Sequence, residues 1–442
     1  MKILLVEPDF PIPTKSKNHK NFLPIGLLKL ACFYKSRGYN VNLVRGNLDK
    51  NKLKFKPDKI MITSLFTYWS KYVKETVEHY KKLFPKAKII VGGIYASLMP
   101  NDCKDYTNCD KVFVGTHEGA ENYTKNNLLD YNMLNNSHPI DYQIIHASRG
   151  CIRKCPFCGV WKIEPKFIPK KSIKNEIQSN NLIFYDNNFF ANPYIEQLLE
   201  EISKLKYDDK PVYCESQSGF DGRLLLKKPH LAKLLKKARF RNVRIAWDNN
   251  YSDVGNIKKQ IDLLVKAGYQ SKDIYVFMIY NFEHSFVELE KKRLKCWGWK
   301  VQIADCRYRP LDQKFDNYNP RRVQGDKDYF IHPRWSDTEI KQFRRNIRRQ
   351  NICVRQSFNF HSGMLERKII SKKLYHKIKN KPRREIRKRI KDVWFPDRMT
   401  FPRRYKPTLN QKLKNENRSL KRIYKKNIPK KRQKSYYQPI RI

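Results

Sequence analysis

The chain is 442 residues long, 40% hydrophobic and 13% aromatic, a composition for two or three globular domains and not for a disordered protein. The longest uncharged apolar run, Ile89–Met99, is too short to cross a bilayer, and Glu7-Pro8-Asp9 interrupts the N-terminus before an export signal develops, so a cytoplasmic protein with no membrane contact is expected. In that reducing compartment the ten cysteines are free thiols or metal ligands rather than disulfides, and a formal charge of +51 favours polyanionic partners.

Residues 1–120 alternate strand and helix signals. Apolar runs at Lys2–Val6, Val41–Val44, Ile60–Thr63, Lys88–Val91 and Val112–Val114 read as strands, and Pro24–Ser36 and Tyr68–Leu83 repeat their apolar residues at helical spacing. Gly38 stands where a helix C-cap is expected. Gly92-Gly93 marks a tight turn or a close approach of backbone to a ligand. The alternation predicts an α/β, doubly wound, Rossmann-like parallel sheet. Residues 121–140 are rich in Asn and low in pattern, and read as a linker.

From residue 141 to 312 the alternation resumes. Strands are expected at Tyr142–His146, Leu182–Tyr185, Val212–Glu215, Val243–Trp247, Ile274–Ile279 and Lys300–Ile303. Helices are expected at Ser172–Ser179, Pro193–Leu205, Pro229–Ala238, Val254–Ala267 and Phe282–Leu294. Six such units predict a partial (β/α)6 barrel, with its chemistry at the C-terminal ends of the strands. Residues 313–442 form a basic, partly helical extension. In it Ser336-x-x-Glu339 is a capping box ahead of Ile340, Phe343 and Ile347 on one helical face.

Just after the first strand of the second half stands Cys151-Ile-Arg-Lys-Cys155-Pro-Phe-Cys158. Ten cysteines in a chain of this length would give that three-cysteine pattern by chance only about 0.005 times. Three thiolates on one short loop can hold three irons of a [4Fe-4S] cluster and leave the fourth open, whereas zinc takes paired units and four ligands, and no second pair follows. The remaining seven cysteines are scattered and read as buried free thiols, with Cys306, at a strand end, retaining a residual radical- or methyl-accepting role.

The CxxxCxxC motif, led by His146-Ala-Ser-Arg149-Gly150, resembles the radical S-adenosylmethionine superfamily. The resemblance implies that the open iron binds S-adenosylmethionine and that one electron cleaves it to a 5′-deoxyadenosyl radical. Cys151, Cys155 and Cys158 would be the metal ligands, and Phe157 would pack near the adenine. Tyr185-Asp186-Asn187-Asn188-Phe189 is similar to the variant in members with an N-terminal cobalamin-type domain, where polar residues replace the Gly-Gly-Glu that meets the methionyl amino group. Glu215, Gln217 and Arg223 lie where the family contacts ribose and carboxylate. Asp248, Asn281, Asp305, Arg307 and Arg309 offer further polar groups at strand ends, the last two toward substrate.

The first half is similar to the cobalamin (B12)-binding-type domains of that superfamily, at Pro24–Ala31, Arg37-Gly38-Tyr39, Val91–Ala96 and Val114–Gly119. The Asp-x-His-x-x-Gly signature that supplies a lower axial ligand is missing, for no His follows Asp9-Phe10-Pro11. The resemblance therefore leaves open both cobalamin as a cofactor and a domain kept for architecture or substrate.

Residues 331–442 carry 36 Lys and Arg against 7 Asp and Glu. An AT-rich gene would enrich Lys, Asn, Ile and Tyr throughout, but not Arg as here. Basic runs at Lys381–Ile390 and Lys421–Lys434, with Trp335, Phe343, Trp394, Tyr405 and Tyr424 interleaved, suit phosphate contacts and base stacking, so RNA is an expected partner. The leading expectation is a radical S-adenosylmethionine enzyme, abstracting hydrogen or transferring methyl through cobalamin, served by an electron-donor protein. The alternative is a nucleic-acid-binding protein with a structural or redox-sensing cluster.

Overall fold

The computed structural model describes residues 1–12, 23–53, 55–125, 127–134, 140–355 and 357. The basic runs after residue 380, with Trp394, Tyr405 and Tyr424, lie outside the described residues.

The first half is a parallel sheet of β1 (Lys2–Glu7), β2 (Asn40–Arg45), β3 (Lys59–Ser64), β4 (Lys88–Gly93) and β5 (Lys111–Val112), in the order β2-β1-β3-β4-β5. The chain starts at β1 and winds outward in both directions, so the switch of direction falls between β1 and β3, where doubly wound sheets form their crevice. β1 is buried on both faces, which is why it reads as an unbroken apolar run. Helix α1 (Ile25–Lys35) covers one face through Leu27, Leu28 and Ala31, which meet Ile3, Leu5, Val41 and Leu43. Helix α2 (Ser70–Leu83) covers the other through Val73, Val77 and Tyr80. Gly38 takes φ +76° just beyond α1, as a C-cap glycine should.

Gly92-Gly93 turns out to serve the sheet. Gly93 has φ +98°, and a Cβ there would lie 2.2 Å from the Ser64 carbonyl oxygen on the neighbouring strand. The short helix α3 (Ile94–Leu98) follows at once.

The second half holds two three-stranded parallel sheets. One has the order β8-β7-β6, from β6 (Gln143–Ile145), β7 (Asn181–Phe184) and β8 (Tyr213–Ser216). The other is β9-β10-β11, from β9 (Arg244–Ala246), β10 (Tyr275–Tyr280) and β11 (Gln302–Arg307). Single parallel bridges, Cys214 to Phe240 and Phe220 to Ile245, and the Arg244 side chain bonded to the Ser216 carbonyl join them. One apolar core runs through both sheets, with Phe184, Phe189, Phe220 and Phe240 packed ring to ring at its centre.

Three elements depart from the sequence pattern. Ser172–Ser179 makes only one 3-10 turn, at Lys174–Glu176. Lys300 takes φ +56° and ends the preceding helix, so β11 starts at Gln302 and continues to Arg307. Asn281 takes φ +60°, so helix α4 (Phe286–Gly298) starts only after Ser285, whose hydroxyl accepts the Glu288 N–H at 3.3 Å. The low-pattern stretch after residue 120 also contributes to the core, through Leu134.

Helix α5 (Asp337–Arg355) has the expected capping box: Glu339 accepts the Ser336 N–H at 2.9 Å, and the Ser336 hydroxyl accepts the Glu339 N–H at 3.3 Å. Ile340, Phe343 and Ile347 join the core of the second half. Asn351 lies along β11 and exchanges both hydrogen bonds with Ile303, at 2.9 and 2.7 Å, covering backbone that a further strand would otherwise pair. Among the described residues no helix is long and apolar enough to cross a membrane.

Gly93→Ala is expected to cost about 3 kcal/mol, from backbone strain and from the clash with Ser64. Urea denaturation checks it, and a loss under about 1 kcal/mol would show that β3 and β4 can move apart without cost.

Candidate functional site

The cysteine loop leaves β6 through Ser148-Arg149, which pairs antiparallel with Ile168-Pro169. Gly150 takes φ +75°, and a Cβ on it would sit 2.2 Å from the Lys166 carbonyl oxygen. Its N–H donates to Glu164 Oε2 at 2.7 Å, while Arg149 donates to Glu164 Oε1 at 2.5 Å and the Asn187 amide donates to Oε2 at 3.2 Å. One carboxylate thus holds the residue before Cys151, the residue before that, and the end of β7. No local pattern in the sequence marks Glu164 for this task.

Cys151, Cys155 and Cys158 are all half-buried. The Cys158 N–H donates to the Cys155 carbonyl at 3.1 Å, Trp161 Nε1 donates to the same oxygen at 3.2 Å, and the Arg153 N–H donates to Cys151 Sγ at 3.3 Å. Burial pushes the Cys155 and Cys158 thiols up, and the other loop thiols and Asp248 add to it. Among the described residues no group of three or more His, Cys, Asp and Glu side chains is drawn together around one point. The donor set itself, three soft thiols on one loop, suits iron bound through thiolates, and a bound cation would offset the charge these thiols raise against one another.

The strand-end residues divide into supports and free groups. Asp186 is fully buried and accepts the Ala147 N–H at 3.0 Å and the Ser148 hydroxyl at 2.7 Å. Burial raises its carboxyl from 3.8 to about 6. Glu215 is taken up by Arg244 and by Asn242 at 3.2 Å. Asn281 is buried and ties Phe330 and His332 to the end of β10. Asp305 faces Arg344 of α5 at 3.8 Å.

Asn188 donates to Asp221 Oδ2 at 3.3 Å, but its Oδ1 is buried without a partner. Arg223 is half-exposed and chelates Asp221, to which Arg153 of the cysteine loop also donates at 3.0 Å. Burial alone would raise Asp221; Arg223 and Arg153 outweigh it and hold its carboxyl below the usual range. Gln217 is half-buried. Asp221 was not singled out from the sequence, although Asp before Gly222 and a Leu run is a legible N-cap, and the structure confirms that cap. Lys292 was also missed: it is fully buried on α4, donates to the Asn249 carbonyl at 2.5 Å, and is lowered to about 8 by burial.

A cavity of about 350 Å³ lies between the two halves, beside the cysteine loop. Phe66 after β3 and Ile94 and Leu98 of α3 wall it from the first half, and Phe157, Val160 and Ile163 wall it from the loop and the turn of helix behind it. Phe157 packs edge-on against Phe282 at 6.0 Å. Gly159 lets the halves close up, since its Cα position faces Leu98 and Leu311 with 3.3–3.4 Å to a would-be Cβ. Cys306 is exposed and lines the cavity. Tyr68 and Arg309 also line it, the guanidinium 4.8 Å from the ring centre. Arg309 Nε donates to Asp316 at 2.6 Å, and Arg307 donates to both oxygens of the same carboxylate at 2.7 and 2.5 Å.

Cys103 and Cys109 are buried in the core on the α2 side with their thiols hydrogen-bonded to each other, while Cys32 lies apart on α1 with its thiol 3.5 Å from the Leu128 carbonyl.

Residues 20–123 match the family model of the B12 binding domain, so the chain carries such a domain in its N-terminal part. β1 precedes the matched segment yet sits inside the same sheet. Among solved structures, the chain is similar to a novel cobalamin-binding protein from Desulfitobacterium hafniense DCB-2, at 16% identity and a TM-score of 0.20, over 28% of this chain and 57% of that one. The chain thus spans a little over half the length of that protein. No curated protein sequence matches.

Two outcomes are expected from the loop's supports. Glu164→Ala leaves the Gly150 N–H and Arg149 without their acceptor and should cost about 2 kcal/mol in chemical denaturation. Because Asp186 titrates higher in the folded than in the unfolded chain, its contribution to stability falls as pH rises from 3.8 to about 6. Asp186→Asn, in which Ser148 can turn to accept, should flatten that part of the stability–pH profile, and an unchanged slope would assign it to other carboxyls.

Proposed function

We propose that the chain is a radical S-adenosylmethionine enzyme whose [4Fe-4S] cluster is held by Cys151, Cys155 and Cys158, with a B12-type domain at residues 20–123. What carries the reading is the three-thiol loop placed against a cavity walled by both halves. In this reading the two parallel sheets, bridged at Cys214 and Phe220, are one partial (β/α)6 barrel over residues 141–312. Residues 1–120 form the first domain, 121–140 the connection and 313–442 the basic extension.

A cluster on this loop supplies, when bound, the single electron that reductive cleavage of S-adenosylmethionine requires. The chain's own residues do the holding. Glu164 and the left-handed Gly150 fix the loop's departure from the sheet. Asn188, with its unpartnered oxygen, and the half-buried Gln217 are the polar groups left to receive the methionyl and ribose parts. Arg223, near Cys155, suits the carboxylate, and Phe157 offers an aromatic face to the adenine. Asn187, Asp186 and Glu215 act one step back, by holding Glu164, the strand end and Arg244. The apolar cavity walls flank the space beside the loop.

The B12-domain match supports cobalamin as a second cofactor, and hence methyl transfer as well as hydrogen abstraction. In the Asp-x-His pattern the His position after Asp9 is occupied by Pro11, so a corrinoid would have no imidazole from that position. A volume of about 350 Å³ suits a small ligand and not a whole corrinoid, so the cavity itself is assigned to substrate. The net charge of +51 supports a second reading, binding of RNA at the surface, with the cluster structural or redox-sensing. An electron-donor protein is a further partner of the enzymatic reading.

The test is anaerobic reconstitution with iron and sulfide, followed by dithionite and S-adenosylmethionine. About four irons per chain and 5′-deoxyadenosine are expected, with both lost in Cys151→Ala, Cys155→Ala and Cys158→Ala. A loaded cluster that never cleaves S-adenosylmethionine, with or without RNA, would instead favour the structural or sensing reading. Hydroxocobalamin retained through desalting checks the second cofactor.

A further inference from the structure

We propose that the cavity between the two halves takes a small substrate with an apolar body and one anionic end, a carboxylate or a phosphate. That this ligand is a substrate rests on the reading of the cysteine loop given above; that it binds does not. Most of the wall is aliphatic or aromatic, from Phe66 and Leu98 on one side to Phe157 and Val160 on the other. A polar body placed there would lose its water and find few hydrogen-bond partners, which costs several kcal/mol. An apolar one gains by leaving water.

The anionic end follows from the charge balance at Tyr68 and Arg309. Arg307 and Arg309 share the single carboxylate of Asp316, which leaves one positive charge over. Arg307 is only 5% exposed in its side chain, so bulk water does little to solvate that excess, and its NH1 is buried with no hydrogen-bond partner. Tyr318 and Tyr329 face the Arg307 guanidinium at 4.4 and 5.0 Å and balance it only through their ring faces. Arg309 is one-third exposed and lines the cavity, so it can turn one edge to an incoming anion while Nε stays on Asp316. Carboxylate and phosphate both match a guanidinium edge. A nucleotide fits less well, because its base edge and ribose would meet the apolar wall.

Calorimetric titration of the full-length chain without cluster, with decanoate, decyl phosphate and decan-1-ol below their micellar range, tests this. One saturable site is expected, at least about tenfold tighter for one of the two anions than for the alcohol, and the better anion identifies the source of the charge. Arg309→Gln should reduce that preference to less than about threefold and leave decanol binding unchanged. Leu98→Trp and Leu311→Trp, which fill the cavity without altering charge, should each abolish binding; Cys306→Phe serves the same purpose if either fails to fold. Decanol binding as tightly as both anions would overturn the anionic end. Binding that survives the filling variants would place the ligand on the basic surface and overturn the site. Displacement of decanoate by tRNA would give the cavity to a nucleotide instead. The titration uses no cluster, so its failure alongside 5′-deoxyadenosine formation sinks only this inference, and its success without such formation sinks only the enzymatic reading.

Discussion

The backbone N–H of Gly150, held by Glu164 while the residue itself is forced left-handed against the Lys166 carbonyl, is the constraint on which the site depends. A loop that must present three thiols cannot also be free to swing, because their mutual position decides what they can bind. Glu164 settles this by satisfying three donors at once, from Arg149, Gly150 and Asn187. Just before Arg149, Ala147 through its N–H and Ser148 through its hydroxyl donate to Asp186. The cost of burying that carboxylate is visible in its raised pKa, and it is tolerated because the alternative is an unpaired buried N–H at the strand end. From the other side Arg153 reaches Asp221, the cap of the next helix. The loop is therefore tied at its root and in its middle to three successive βα connections.

The same logic joins the two halves. The core under α1 does not stop at the first sheet: Ile144 of β6 and Leu134 of the low-pattern stretch complete it. At its edge Lys29 of α1 pairs with Glu121 at 2.6 Å, and burial together with the nearby Arg149 and Lys170 works against the charge on Lys29. Near the cavity the contact is polar again, through Lys314 with Asp102 and Arg309 over Tyr68. Apolar packing at one end and ion pairs at the other thus join the parts that wall the cavity, the turn after β3, α3, the cysteine loop and β11.

Much of this was legible in the sequence where one periodicity or one motif is sufficient. β1 is buried on both faces and β2, β3 and β4 bury apolar residues at alternating positions, so their runs stand out within a residue or two. The cysteine triad is local, and so is the capping box at Ser336. What failed to show had its cause at long range. Lys300–Ile303 reads as a strand, but the left-handed Lys300 displaces β11 toward Arg307. Ser172–Ser179 has helical composition, but Ser172 and the Ile173 N–H are held by Glu201, 2.5 and 2.9 Å away, on another helix. Polar strand ends were visible as residue types, but not which carboxylates were already engaged; Asp186 and Glu215 look as available as Asn188 until their partners are placed. Glu164 had no signal at all, because its three partners span residues 149–187.

The charge of the chain and the chemistry of its cavity bear on different questions. A net +51 acts through the solvent, over about a Debye length, and raises the local concentration of any anion regardless of its shape. It cannot choose among anions. Choice requires desolvation, and the place proposed above for a ligand is a wall of Phe, Leu, Ile and Val that also carries two arginines sharing one carboxylate. There an extra phosphate or ribose is a liability, since each polar group without a partner costs more than an additional surface lysine returns. The basic surface and the cavity therefore need not serve one molecule. In the proposed reading the surface charge governs what approaches, and the cavity, set against the cysteine loop, governs what can be brought to it.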